Sequence, residues 1–204
     1  MMKAFRYFFF IALLFFLASC SSSNYEKVQV KSMHSHVVVH SQSKKALKPL
    51  AYKEYIDLKP YLGYIAQKLS QIKGSRVYPH KALQLAAVYH AKDMAVNNHF
   101  SHRGSGKKTD LARDYDGKGS KFLERIVFFG YEIDSTKPGG EVIAYSKSNI
   151  VGSFDVIKHF DHAIKNFLKS PLHAKIILNQ NFRYFGIGAY RVGNTVYWVI
   201  DFAH

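Results

Sequence analysis

The chain has 204 residues, of which 48% are hydrophobic and 15% aromatic, so it is no disordered polymer and suits one domain of ordinary size. A formal charge of +15 implies anionic neighbours, and the single cysteine rules out intramolecular disulfides, Cys-x-x-Cys redox chemistry and cysteine-based zinc sites. The basic residues are scattered, with Lys44-Lys45 and Lys107-Lys108 the only adjacent pairs, which describes a solvated basic surface rather than a dedicated polyanion site.

Residues 1–19 read as an export signal. Lys3 and Arg6 form a positive start, and the uncharged run from Tyr7 to Ala18 is too short to cross a bilayer of about 30 Å. Its end, Leu17-Ala18-Ser19-Cys20, resembles the lipobox of bacterial lipoproteins, with the Cys20 thiol as the lipidation site. Residues 20–50 then form a polar linker that begins Ser21-Ser22-Ser23-Asn24. His34, His36 and His40 lie in this stretch without an accompanying carboxylate or cysteine, so a polar linker or edge segment is the reading there.

The folded part spans residues 51–204. Leu62, Ile65, Leu69 and Ile72 recur at helical spacing and stop at Gly74, a C-cap residue. Leu83 to Asn97 is the clearest helix, with Leu83, Ala87, Ala91, Met94 and Ala95 on one stripe. The glycines and charges from Arg103 to Ser120 form a long loop, and Phe122 to Tyr131 resumes an apolar pattern broken by Gly130. A helix from Phe154 to Lys169 has Ser153 as N-cap and is stopped by Ser170-Pro171. The same pair can start a short helix, with Ser170 as N-cap, Pro171 at its first position and His173 in its first turn. Phe185 to Val192 and Thr195 to Phe202 make a hairpin around Gly193-Asn194, with Val196, Trp198, Ile200 and Phe202 on one face and Tyr197, Val199 and Asp201 on the other. Helices followed by antiparallel strands indicate an α+β domain.

Three short words interrupt the apolar patterns, and each brings a group able to handle a proton or a metal. They are His99-Phe100-Ser101-His102, Gly139-Gly140-Glu141 and Ser170-Pro171-Leu172-His173. With His90-Ala91-Lys92-Asp93-Met94-Ala95, Gly130-Tyr131, Phe185-Gly186-Ile187-Gly188 and Tyr197-Trp198-Val199-Ile200-Asp201-Phe202, they resemble the bacterial CAP superfamily. Its members include cysteine-rich secretory proteins, antigen 5 and plant pathogenesis-related proteins. The resemblance covers roughly residues 60 to 204 and implies a three-layer α–β–α sandwich. It also implies a cleft lined by His102, Glu141 and His173, with Ser170 beside them. Family members often add a second Glu before the last His. Here no Glu follows Glu141, and Val142 and Phe167 replace the usual Asn and Trp.

By their chemistry His102, Glu141 and His173 could hold zinc or another divalent cation, with one coordination position open. Without a metal, the same residues could tie the loops to the core as a His–Glu–His hydrogen-bond network. No His-Glu-x-x-His word and no Gly-x-Ser-x-Gly elbow occurs, so no residue is assigned a catalytic role. The expectation is an envelope-anchored lipoprotein that works as a non-enzymatic binding module for a lipid, a wall component or a divalent metal. A metal-dependent hydrolase of peptide or cell-wall substrate is the alternative. Expected partners are the membrane, through the lipid anchor, and a lipid or anionic envelope polymer; nucleic acid is not among them. Ser21 after the cysteine, rather than Asp, points to the bacterial outer membrane, with the periplasmic face of the inner membrane or the cell surface as alternatives.

Overall fold

The computed structural model describes residues 53–137, 139–147 and 155–204. The segment expected to be an export signal, Cys20, the histidines at 34, 36 and 40, and Ser153 and Phe154 lie outside the described residues. Residues 47–204 form one compact unit with an apolar core of its own.

In chain order the elements are β1 (Lys53–Tyr55), a 3-10 turn, α1 (Leu62–Lys73), β2 (Tyr78–Pro79), α2 (Lys81–Asn97), α3 (Phe122–Phe128), β3 (Gly140–Lys147), α4 (Val156–Lys169), α5 (Pro171–Ile177), β4 (Tyr184–Val192) and β5 (Thr195–Ala203). The helices end where the sequence signals stand. Gly74 closes α1 at φ 71°, a left-handed geometry that costs glycine nothing. Asn98 closes α2 at φ 50°. The α4 cap differs from expectation, because the helix starts later and the Asp155 carboxylate accepts from Lys158 N–H. Ser170 does sit at the N-cap of α5 with Pro171 behind it, but its side chain makes no capping bond; its carbonyl accepts from Ala174 instead.

The sheet order is β1-β4-β5-β3, antiparallel throughout, with β2 added in parallel to β4. Both faces of the sheet are covered, so alternation along a strand divides residues between two layers rather than between core and solvent. Val196, Trp198, Ile200 and Phe202 of β5 pack with Ile65 and Leu69 of α1, Phe160, Ile164 and Phe167 of α4 and Ile177 of α5. On the other face Ile143, Tyr197 and Val199 meet Ala87, Ala91, Met94 and Ala95 of α2. The result is the expected α+β sandwich, helix–sheet–helix.

Closest approach occurs between α2 and β4. A Cβ at Gly186 would overlap the backbone of Leu83 and Gln84, and one at Gly188 that of Ala87 and Val88. The alanines of α2 and these two glycines let the helix lie directly on the strand. That contact fixes where α2 delivers its buried polar side chains.

Candidate functional site

The α2-facing surface of the sheet is not wholly apolar. At its end, Glu141 of β3 pairs in register with Asp201 of β5, and both are buried. The Glu141 carboxylate is held from two sides. Its Oε1 accepts from His102 Nδ1 at 2.8 Å, and its Oε2 accepts from Arg125 Nη2. His90 Nε2 lies 3.7 Å from Oε2 and donates to the Ser101 carbonyl at 3.0 Å. Burial alone would raise the Glu141 pKa, yet His102, His90 and Arg125 together hold it below the ordinary value. Burial takes His90 the other way, lowering its pKa to about 4 against the opposing pull of Glu141. His90 is therefore a neutral imidazole at neutral pH.

Asp201 forms no ion pair among the described residues, and Arg125 only partly offsets its burial. Burial first, then repulsion from Glu141, push its carboxyl well above the usual carboxylate range, and neither oxygen has a hydrogen-bond partner among the described residues. Of the two carboxylates, Asp201 is the one biased toward the neutral acid and Glu141 the one held toward the ionised form.

Each member is fixed by its element. Arg125 is on α3, whose first turn carries the Lys121–Glu124 capping arrangement; its guanidinium also donates to the carbonyls of His102 and Ser120. His102 lies on the loop that follows α2, and two buried aspartates tie that loop down. Asp93 of α2 accepts from Ser105 N–H, the Ser105 and Thr109 hydroxyls and the Asn97 amide. Asp110 accepts from the Gly106 and Ser120 N–H groups and the Ser120 hydroxyl. Hydrogen bonds to a charged acceptor contribute about 1.5–3 kcal/mol each, so the loop is anchored rather than draped.

The outcome is an asymmetric imidazole. His102 Nδ1 faces a buried carboxylate, so the neutral ring is the Nδ1–H tautomer with Nε2 as its acceptor. The side chain remains 56% exposed, so that acceptor is presented to the outside. Phe100, two residues earlier, is also exposed and packs edge-to-face on Tyr145 of β3 at 4.9 Å, with Tyr197 behind.

Of the expected set, His102 and Glu141 are joined directly. His173 is half-buried, packs edge-on against Phe167 at 5.3 Å, and has its pKa lowered first by burial and then by its neighbour His102. It makes no hydrogen bond or ion pair among the described residues, and the Ser170 hydroxyl bonds to none of the three. The metal set can be tested on its donors. Both Glu141 oxygens are taken, one by a guanidinium whose charge opposes a cation, and no three His, Cys, Asp or Glu side chains are gathered as ligands among the described residues. The arrangement does not fit a three-ligand metal site that includes Glu141. It fits a carboxylate that orients a histidine.

Arg125, His90 and Asp201 complete the site and were not singled out by the sequence. Asp201 had a signal, the one carboxylate in a strand otherwise made of Thr, Val, Tyr, Trp, Ile, Phe and Ala. Arg125 had another, a charge in an apolar run. His90 falls seven residues after Leu83 and so on the buried stripe of α2.

The comparisons agree with this architecture. A model of the cysteine-rich secretory protein (CAP) family matches residues 73–202. An outer surface protein of Borrelia burgdorferi superposes with a TM-score of 0.53 at 15% identity, covering 74% of this chain and 98% of that one. An extracellular protein containing an SCP domain, from Bacillus anthracis str. Ames, gives a TM-score of 0.46 at 20% identity over 72% of this chain and 43% of the other. No curated protein matches the sequence. With the family model covering well over half of its length, the chain belongs to the CAP, or cysteine-rich secretory protein, family.

Proposed function

We propose that the protein is an exported lipoprotein, anchored through Cys20, whose CAP domain is a non-enzymatic binding module for an envelope lipid or wall component. The observation that carries this is the state of His102. Its Nδ1 is committed to buried Glu141, its Nε2 faces outward, and no nucleophile is hydrogen-bonded to it among the described residues. A fixed acceptor beside exposed Phe100 and Tyr145 suits a ligand with one polar donor and an apolar body. The lipobox supports anchorage, with the outer membrane as the preferred place. The neighbours described as an outer surface protein and an extracellular protein support a location outside the cytoplasm.

One observation favours hydrolysis instead. A histidine oriented by a carboxylate is the base-and-orienter half of a hydrolytic triad, here without its serine. The experiment that separates the two is native mass spectrometry of the purified protein with envelope lipids, wall fragments and Zn²⁺. It is run beside a turnover panel of peptide and wall substrates. The binding reading expects a retained lipid or wall fragment that is lost in His102→Ala, with the fold retained and no turnover. Turnover that disappears in His102→Ala would replace it with the hydrolase, and absence of any ligand would sink it.

A further inference from the structure

The helix that supplies Arg125 has an unusual outer face. Arg125 and Ile126 of α3 point inward and are buried, whereas Leu123, Val127 and Phe128 are 39%, 52% and 55% exposed. A surface helix normally turns its polar stripe to water. Here the outward stripe is apolar apart from Glu124, which is paired with Lys121 at 3.6 Å. The patch continues into the preceding loop. Phe128 packs edge-on against Phe129, Phe129 stacks on Tyr89 at 5.2 Å, and half-exposed Leu111 lines the same small void as Phe129 and Tyr89. Four residues beyond Leu111, Tyr115 stands wholly clear of the domain.

A contiguous apolar patch of this kind marks a contact surface, and its charge says with what. Between Arg103 and Lys121 the loop carries Arg103, Lys107, Lys108, Arg113, Lys118 and Lys121, and its only exposed acids are Asp114 and Asp116. Two copies facing each other would bring these cations together, which opposes self-association. An apolar stripe bordered by lysines, whose long stems can lie on apolar surface while their ammonium groups stay wet, suits an anionic bilayer. A tyrosine at the tip suits the same boundary, apolar at one end and wet at the other.

We propose that the outer face of α3 and the 111–121 loop dock on an anionic lipid surface, Leu123, Val127 and Phe128 entering the headgroup boundary and the loop lysines contacting the lipid charge. This surface is independent of the His102 cleft. It lies on the opposite side of α3 from Arg125, so docking holds the helix that completes the site.

The test uses residues 47–204, the compact unit, which carries neither Cys20 nor the signal. It is sedimented with phosphatidylcholine vesicles and with vesicles that also contain about one-third phosphatidylglycerol. The anionic vesicles should bind and the neutral ones should not. Val127→Asp with Phe128→Asp should weaken binding by tenfold or more, roughly what losing two buried apolar side chains implies, with the melting temperature kept. Lys107→Gln, Lys118→Gln and Lys121→Gln together should weaken it at low salt and flatten its salt dependence. Tyr115→Trp gives a second reading in the otherwise native chain, since Trp198 is buried and constant. The emission of this variant should shift to the blue on anionic vesicles alone. No sedimentation with anionic vesicles, equal binding to neutral ones, an Asp double variant that binds like the native chain, or an unshifted emission from the Tyr115→Trp chain would each overturn the proposal.

Discussion

The two faces of the central sheet are built from the same strands and obey different rules. On the α1, α4 and α5 side, Trp198, Phe202, Phe160 and Phe167 fill space, and the buried Lys73 ammonium sits over the rings of Phe182 and Phe202. On the α2 side, one residue away along the same strands, Glu141, Asp201, His90 and Arg125 are buried together. The first face is held by volume. The second is held by the Glu141–Arg125 ion pair, in which removing the guanidinium strands a buried carboxylate. A family fold can keep the first nearly generic while the second defines what its cleft presents.

That contrast can be broken at each face. The largest effect expected is at Trp198, fully buried with no partner for its indole N–H among the described residues. Trp198→Ala should cost about 3–5 kcal/mol in urea unfolding, and Trp198→Phe much less, because no hydrogen bond is lost. If the two cost the same, shape rather than volume governs that face.

A comparable loss, about 3–5 kcal/mol, is expected on the charged face from Arg125→Met, for a different reason. It leaves ionised Glu141 buried without its guanidinium. Adding Glu141→Leu to Arg125→Met should recover part of the loss, a coupling that no volume-based account predicts. A double-mutant cycle on melting reads it directly.

Acid should separate the faces next. The folded pKa of His90 is below its ordinary value, near 4 against 6.5, so the unfolded chain binds the proton first. Stability from this group is full above about pH 6.5 and is lost as pH falls toward 4. The loss is on the order of 3 kcal/mol if the whole shift is realised. The depressed Glu141 acts in the same direction at lower pH still, its contribution disappearing as it protonates. His90→Gln, which keeps a donor toward Ser101, should flatten the urea midpoint between pH 6.5 and 4. An unchanged slope would remove His90 from the account. The smallest effect is at Ser170. Its hydroxyl caps nothing, so Ser170→Ala should stay within about 0.5 kcal/mol.

These expectations also mark what the sequence could tell. The helices of the apolar side and the β4–β5 hairpin were legible because period and punctuation agree there, as in Gly74 after α1 and Gly193 between the strands. The short β1 and β2 carry too few residues for any periodicity to show. The words containing His102 and Glu141 led to the site, since each lies where an apolar pattern breaks. Arg125 and Asp201 are single charges in apolar runs and His90 keeps the α2 stripe, and none of these signals says what the side chain meets. Sequence spacing shows which residues are inside; it does not show which of them meet. For the same reason Glu141 reads as a ligand in the sequence, where the guanidinium of Arg125 on its other oxygen is invisible.

The central claim is that Glu141 fixes His102 with Nε2 open to the outside. Two-bond nitrogen–proton NMR correlation of the histidine rings, recorded near pH 8 where an ordinary imidazole is neutral, measures this directly. The account predicts that His102 is the Nδ1–H tautomer with an unprotonated Nε2, and that Glu141→Gln disturbs this preference. An Nε2–H tautomer in the native protein, or a His102 signal indifferent to Glu141→Gln, would contradict it.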